Sequence, residues 1–152
     1  ELLATLRPQF KHTAHCVELD IASGLELDSY PGALEQVLVN LIGNALVHGF
    51  ADRDAGRIHL HAVILDSDHV RISHADDGLG IPETIQNRIF DPFFTTNLSG
   101  GGSGLGLYIV YNLVVGVLGG TIRVHSAPGT GTTFTLILPR SAPDRPTLEL
   151  PL

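Results

Sequence analysis

The chain has one cysteine, one lysine, no methionine and no tryptophan among its 152 residues. The single cysteine, Cys16, cannot form an internal disulfide, and it suits a reducing compartment. A Walker A phosphate loop requires a Gly-Lys pair, and the only lysine, Lys11, follows Phe10. A nucleotide site of that kind is therefore excluded. No apolar run is long enough to span a bilayer, so we expect a cytoplasmic location and no membrane contact by this domain.

Positive charge is also scarce. The chain has 9 Lys and Arg residues against 16 Asp and Glu, for a formal net charge of -7. Because binding to a polyanion requires basic patches, no nucleic acid partner is expected. Hydrophobic residues make up 43% and charged residues 16%, which are values of a globular chain. The length suits one domain with a real core.

Hydrophobic periodicity predicts an α+β domain. Apolar residues recur at helical spacing from Leu34 to Leu46, after Pro31 in a first helical turn. Ser23-Gly24 is a hairpin signal between two short strands. The expected strands are 17–21, 25–28, 57–65, 69–74, 121–126 and 132–138, and the expected helices are 31–49, 82–89 and 105–118. This order predicts a two-layer sandwich, with about three helices on one face of a mixed, mostly antiparallel sheet.

The predicted domain occupies only the central part of the chain. We expect a lead-in over 1–16, the domain over 17–139 and a proline-rich tail over 140–152. Because the sequence begins at Glu1 and has no methionine, we expect it to be part of a longer protein.

Five short motifs carry the chemistry, and their order is more informative than any one of them. They are NLIGNA at 40–45, DDGLG at 76–80, FDPFF at 90–94, GSGLGL at 102–107 and GTGT at 129–132.

The first motif belongs to a polar stripe on the first long helix. Gln36, Asn40, Asn44 and His48 recur every four residues, which places them on one side of the helix. Magnesium takes oxygen ligands and completes its shell with water and phosphates, so amide oxygens suit it. Asn40 and Asn44 are therefore candidate metal ligands. The alternative is that these amides only satisfy loop backbone groups.

The second motif follows an apolar strand and suits a purine base. The Asp76 carboxylate can accept a hydrogen bond from an exocyclic amine, and Gly78 and Gly80 let a flat base approach the backbone. Adenine offers that amine, whereas guanine offers a carbonyl that a carboxylate repels. The alternative is an ordinary Asp-Gly turn, with Asp77 facing solvent.

The fourth motif leads into the second long helix. Gly102, Gly104 and Gly106 let backbone N–H groups close around phosphate oxygens near a helix start. The alternative, a flexible linker, fits poorly because buried-type residues follow at once from Leu105.

Taken together, the motifs resemble those of the ATP-binding catalytic domain of bacterial sensor histidine kinases. The resemblance covers about Leu19 to Pro139 and extends to the superfamily of gyrase, the ninety-kilodalton heat-shock chaperone and the mismatch-repair ATPase. It implies the Bergerat-type ATP-binding fold. The motifs look like the family's N, G1, F and G2 boxes and its last glycine box.

The resemblance also implies a role for each matching residue. Asn40 and Asn44 would hold Mg2+ in the catalytic site, Asp76 would read the adenine amine of ATP, and Thr132 would help through a water. Gly78 and Gly80 would lie against the base. The segment Thr95–Ser103 would be a lid, mobile without nucleotide and anchored by aromatic residues. The remaining nucleotide contacts would come from His48, Phe93, Gly102, Gly104, Leu105 and Gly106.

Two departures from the family pattern matter. The kinases often carry a lysine where this chain has Val47. The phosphoacceptor histidine is absent, because His12 and His15 lack the surroundings of that motif. The expected partners are therefore a separate phosphoacceptor and dimerisation domain and, indirectly, a response regulator.

Three functions compete on this basis. The first is a histidine kinase domain that presents the ATP γ-phosphate to a histidine elsewhere. The second is a nucleotide-binding interaction module without transferase activity. The third is an ATP hydrolase of the gyrase and chaperone type, in which a glutamate general base stands where this chain has Asn40. An amide cannot take that proton, so the third function is disfavoured.

One feature is independent of the motifs. Basic side chains alternate with apolar ones along the strands and are predicted to share the outer face of the sheet. They are His59, His61, His69, Arg71, Arg123 and His125. Histidine pairs of this spacing can bind metal, although a solvated or partner-facing surface is the ordinary interpretation.

Overall fold

A computed structural model of the chain describes residues 14–94 and 104–144. The predictions for the lead-in before residue 14, for the whole lid segment Thr95–Ser103 with its Gly102, and for the tail beyond residue 144 lie outside the described residues.

Five strands form one sheet. They are β1 (Cys16–Ile21), β2 (Arg57–Ile64), β3 (His69–Asp76), β4 (Thr121–Ala127) and β5 (Gly131–Pro139). Their order across the sheet is β1-β2-β3-β5-β4. Only the β1–β2 pair is parallel, and the other three pairs are antiparallel. The predicted mixed, mostly antiparallel sheet is confirmed.

The helices pack against one face of this sheet. Helix α1 (Pro31–Asn44) continues into a π-helical turn over Ala45–Gly49, and α2 (Gly106–Asn112) continues into another over Leu113–Val117. A 3-10 helix spans Glu83–Arg88. The core lies between the two layers, where fully buried side chains of α1 and α2 meet the inner face of β3 and β5. The two-layer α+β sandwich is therefore confirmed.

The hairpin prediction for the first two strands was wrong. Residues 25–28 form no strand with β1, and Asp28 makes only an isolated parallel bridge to Ser141. Because β1 pairs in parallel with β2, the chain must leave it by a crossover rather than by a hairpin. Leu25 and Leu27 pack against the edge of the core instead, which explains their strand-like alternation.

Two helices differ from their predicted form. The segment predicted as a helix over 82–89 is a 3-10 helix, and the segment predicted over 105–118 is α-helical only to Asn112 before it widens. The wider turns close with bonds over five residues, from the Phe50 N–H to the Ala45 carbonyl and from the Leu118 N–H to the Leu113 carbonyl. Such turns are rare and often lie at functional sites.

The outer face of the sheet carries the predicted basic side chains. His59 and His61 stack with ring centroids 6.0 Å apart, and His61 Nε2 lies 3.6 Å from a carboxylate oxygen of Asp20. Within residues 14–94 and 104–144, no group of three or more His, Cys, Asp and Glu side chains is arranged to hold a metal. The same part of the chain contains no helix both long and apolar enough to cross a membrane.

A glycine substitution tests the tight packing at the start of β5. Gly131 has φ +91°, and a Cβ there would overlap the Asp76 carbonyl oxygen. Gly129 has φ +80°, but a Cβ there would meet no atom within 4 Å. We expect Gly131→Ala to lower the free energy of unfolding by about 3 kcal/mol or more, and Gly129→Ala by about 1 kcal/mol. Urea denaturation measures both, and equal losses would contradict the packing argument.

Candidate functional site

The Asp76 carboxylate lies buried at the end of β3, with 8% of the residue exposed. Its Oδ1 accepts a hydrogen bond of 2.9 Å from the Gly78 N–H. In the sheet it pairs with Ile58 on one side and Thr132 on the other. Burial raises the pKa of Asp76, while the backbone N–H groups of Gly78 and Thr132 oppose that rise. The sheet thus holds a desolvated acceptor at the end of its central strand.

Glycines allow the backbone to close around this carboxylate. A Cβ on Gly49 would lie 3.3 Å from Asp76 Oδ1, and one on Gly78 would overlap the Gly49 carbonyl. The Leu79 N–H donates to that same carbonyl at 2.8 Å. The end of the π-helical turn after α1 is therefore fixed directly against the second motif.

Gly80 has a different structural reason to be glycine. It has φ +79°, and a Cβ there would overlap the Ala127 carbonyl. The Gly129 N–H also donates to the Leu79 carbonyl at 2.7 Å. The approach of the β4–β5 turn therefore explains this glycine, and its contact with a base stays a prediction. Asp77 is exposed and accepts a hydrogen bond of 2.8 Å from the Arg57 N–H, in the solvent-facing position expected for it.

The polar stripe of α1 reaches the start of α2. Gln36 Nε2 donates to Asn40 Oδ1 at 2.8 Å, and Asn40 Nδ2 donates to the Gly106 carbonyl at 3.3 Å. Asn44 and His48 are half-buried further along, and burial lowers the pKa of His48. Asn40 therefore does satisfy a backbone group, the Gly106 carbonyl, as expected if these amides only serve loop backbone groups. Its oxygen is still of the type that a hard cation binds.

The third and fourth motifs also touch. Gly104 has φ +76°, and a Cβ there would overlap the backbone of Phe93. Phe93 itself has φ +64° and is 60% exposed. Leu105 directly precedes α2, and its carbonyl accepts the Ile109 N–H at 2.8 Å. The backbones of Phe93 and Gly104 are thus packed directly against each other.

These contacts join the motifs into one region of the molecule. Helix α1 meets α2 at Asn40, and its π-helical extension meets the end of β3 at Gly49. Asn44 and His48 lie between these two contacts along the chain. Gly102 lies outside the described residues, and Phe93 extends into solvent at the region's edge.

Sequence reasoning missed Ser126 and Gln86. Gln86 Nε2 donates to the Ile81 carbonyl at 2.8 Å and to the Ser126 carbonyl at 3.0 Å. The Ser126 hydroxyl accepts the Ile81 N–H at 2.7 Å and lies 2.9 Å from Thr132 Oγ1. Neither residue lies in a motif, and the only signal for Ser126 was a small polar residue at the inward-facing position of its strand.

A buried histidine lies directly behind Asp76. His74 shares the inner face of β3 with Asp76 and pairs with Leu60 and Phe134 on the neighbouring strands. It is 0% exposed, and neither ring nitrogen has a hydrogen-bond partner among the described residues. Burial lowers its pKa to about 4. The ring is therefore neutral at pH 7. It lies between Asp76 at the end of β3 and the apolar core side chains that include Phe134.

Comparison with known proteins agrees with this arrangement. Residues 30–142 match the family described as histidine kinase-, DNA gyrase B- and HSP90-like ATPases. The signal transduction histidine-protein kinase AtoS of Escherichia coli (strain K12) is 44% identical over 106 residues, 70% of this chain and 16% of AtoS. The alginate biosynthesis sensor protein KinB of Pseudomonas aeruginosa is 38% identical over 146 residues, 91% of this chain and 23% of KinB. The chain thus spans less than a quarter of either relative.

The similar solved structures are histidine kinases as well. The nucleotide-free catalytic domain of the histidine kinase ThkA superposes with a TM-score of 0.77 at 25% identity, over 92% of this chain and 88% of that one. Full-length ShkA in complex with AMPPNP has a TM-score of 0.75 at 30% identity, over 97% of this chain and 29% of that one.

The chain therefore belongs to the family of histidine kinase-, DNA gyrase B- and HSP90-like ATPases. Within that family it is an ATP-binding catalytic domain of the sensor histidine kinase type.

The buried histidine predicts acid sensitivity. Between pH 6.5 and about 4 the unfolded chain binds a proton at His74 that the folded chain excludes, so the free energy of unfolding falls as the pH falls through this range. Above pH 6.5 His74 is neutral in both states and causes no such loss. The full loss, for a pKa lowered from 6.5 to about 4, is about 3 kcal/mol. We expect His74→Leu to reduce the loss of stability between pH 7 and pH 4.5, measured by urea denaturation.

The exposed His125 provides the matched control. His125→Leu removes one histidine but keeps His74, so it should keep the acid sensitivity of the unmodified chain. Parallel pH profiles for His74→Leu and the unmodified chain would contradict the prediction.

Proposed function

We propose that the domain binds Mg2+-ATP and presents the γ-phosphate to a histidine on a separate phosphoacceptor and dimerisation domain. The observation that carries this proposal is the amide link between α1 and α2. Asn40, not an acid, makes that link to Gly106. The position at which the hydrolases carry a glutamate base therefore holds an amide, which cannot take a proton from water.

The base is recognised at the end of β3. A buried carboxylate with a raised pKa gains most from a ligand that supplies N–H donors. The adenine amine supplies them, and the oxygen of a 6-oxopurine does not. Gly78 donates its backbone N–H to Asp76 Oδ1 at 2.9 Å, so one oxygen of this carboxylate is held in place.

The triphosphate lies toward the other end of the region. Its contacts come from the backbone of Gly104, Leu105 and Gly106. His48 is half-buried in the π-helical turn, at the Asp76 end of the stripe and next to Gly49. With no lysine in the described residues, backbone N–H groups carry much of the phosphate binding.

Magnesium fits the donors that are present. Asn40 and Asn44 would hold it, because hard cations bind amide oxygens and keep several waters. When bound, the ion would supply positive charge that offsets the charge of the phosphate oxygens during transfer. The protein residues orient the phosphates and the base, and positioning is the main contribution that a protein makes to phosphoryl transfer.

Phosphotransfer with a supplied acceptor tests the function. The chain would be incubated with labelled ATP and Mg2+, with and without a phosphoacceptor hairpin of a sensor histidine kinase. We expect label on the hairpin histidine and little phosphate release without it. Nucleotide binding without transfer would favour the interaction module, and steady phosphate release would favour the hydrolase.

The Asp76 carboxylate is predicted to select adenine. We expect ADP to bind at least about tenfold more tightly than GDP, since an unpaired buried acceptor costs about 1–3 kcal/mol. Asp76→Asn should weaken ADP binding by a similar factor because one acceptor becomes a donor. It should not reduce the free energy of unfolding, because it removes a desolvated charge.

Titration calorimetry and urea denaturation measure both effects, and the exposed neighbour Asp77 supplies the control. Asp77→Asn should leave nucleotide preference unchanged. Equal affinity of the unmodified chain for ADP and GDP would contradict the role of Asp76.

The Asn44 amide is predicted to matter more for transfer than for binding. We expect Asn44→Ala to reduce phosphotransfer by at least about a hundredfold while ADP affinity falls less than about tenfold, because charge compensation counts most in the transition state. Asn87→Ala, on the exposed side of the 3-10 helix, is the control and should affect neither quantity. Retained transfer with lost ADP affinity would reverse the assignment.

A further inference from the structure

The Ser126 hydroxyl in β4 contacts three groups at once. Its Oγ accepts the Ile81 N–H at 2.7 Å and donates to the Gly131 carbonyl at 2.9 Å. It also lies 2.9 Å from Thr132 Oγ1. These contacts join the residue that follows the second motif, the end of β4 and the start of β5.

Only one arrangement of protons makes all three contacts hydrogen bonds. A serine hydroxyl has one proton and two lone pairs. The Gly131 carbonyl can only accept, so the serine hydroxyl donates its hydrogen bond to it. The Ile81 N–H donates to one of the two lone pairs of the serine oxygen. Thr132 must then donate its own proton to the remaining lone pair of Ser126. The Thr132 hydroxyl is left with lone pairs alone for any other partner.

This polarity matters because of where Thr132 lies. Thr132 is 5% exposed and pairs directly with Asp76 across the β3–β5 ladder, and Ser126 pairs with Thr132 across the β4–β5 ladder. Directly paired residues project from the same face of a sheet. The carboxylate and the threonine oxygen therefore form a pair of neighbouring acceptors, and neither can supply a proton to a ligand.

We propose that Ser126 is a specificity-determining residue that acts through Thr132. Ser126 accepts the hydrogen bond from the Thr132 hydroxyl, so the Asp76 carboxylate and the Thr132 oxygen are left as two adjacent acceptors. This pair favours an amine, or a water that donates its protons, and disfavours a carbonyl oxygen. It selects a 6-aminopurine nucleotide over a 6-oxopurine one. This inference rests on the proposed nucleotide site and adds a residue outside the five motifs.

Replacing Ser126 should relax the discrimination. In Ser126→Ala the Thr132 hydroxyl is free to rotate and donate to a 6-oxo group. We expect the ratio of ADP affinity to inosine diphosphate affinity to fall about tenfold, the effect of one hydrogen bond of about 1.4 kcal/mol. Ser126→Thr keeps the hydroxyl and should retain the original ratio. Titration calorimetry with both nucleotides gives the ratio directly.

Two further variants make the test specific. Thr130→Val removes a hydroxyl in the same turn, one that donates to the Ala127 carbonyl at 2.9 Å, and should leave the ratio unchanged. Thr132→Val removes the second acceptor and should lower the ratio even if Ser126→Ala does not fold. The ratio of the two affinities is the decisive quantity, because a substitution that only loosens the β4–β5 turn would weaken the binding of both nucleotides alike.

The outcomes separate this inference from the function beneath it. Equal weakening of both nucleotides in Ser126→Ala, or an unchanged ratio in Thr132→Val, would overturn the role of Ser126 while leaving adenine binding intact. Failure of the unmodified chain to bind ADP would overturn the proposed function, and this inference with it.

Discussion

The close approach of three backbone segments to Asp76 is the constraint on which the rest of the site depends. A Cβ on Gly131 would overlap the Asp76 carbonyl, one on Gly49 would crowd the Asp76 carboxylate at 3.3 Å, and one on Gly78 would overlap the Gly49 carbonyl. The end of the π-helical turn, the loop after β3 and the start of β5 therefore converge on one carboxylate. The same convergence excludes water, which desolvates Asp76 and raises its pKa. The convergence of the backbone segments therefore accounts both for the tight packing around Asp76 and for the raised pKa of its carboxyl group.

Helix α1 carries this constraint across the domain. Its core face is anchored by Val37 and Leu41, which are fully buried. Its polar stripe contacts α2 at Asn40, and its extension ends against the Asp76 loop. A shift of α1 would therefore disturb both ends of the site. This explains why apolar and amide positions are interleaved on one helix, since the first set fixes the position of the second.

The predictable parts of the molecule were those encoded by local pattern. The alternation in β2 and β3 gave the two faces of the sheet, and the repeat from Leu34 to Leu46 gave α1. The parallel pairing of β1 was not accessible, because Ser23-Gly24 has the local signature of a hairpin and strand pairing is decided by distant residues. Position 49 entered the prediction only as the end of the expected helix 31–49, because the contact of Gly49 with Asp76 exists only in the folded chain. The proton arrangement at Ser126 depends on three residues separated in sequence, and no spacing rule describes it.

The hydrogen bonds of Asn40 have a consequence for ion binding. Its amide oxygen already accepts from Gln36 and its nitrogen already donates to Gly106. The amide oxygen has two lone pairs, so a cation can bind one of them while Gln36 keeps its hydrogen bond to the other. The two hydrogen bonds hold both ends of the same amide group, which fixes the direction of its carbonyl before an ion arrives. Removing the side chain at position 36 would release that carbonyl without touching a ligand atom, so that part of the ion's binding free energy would be spent on ordering Asn40.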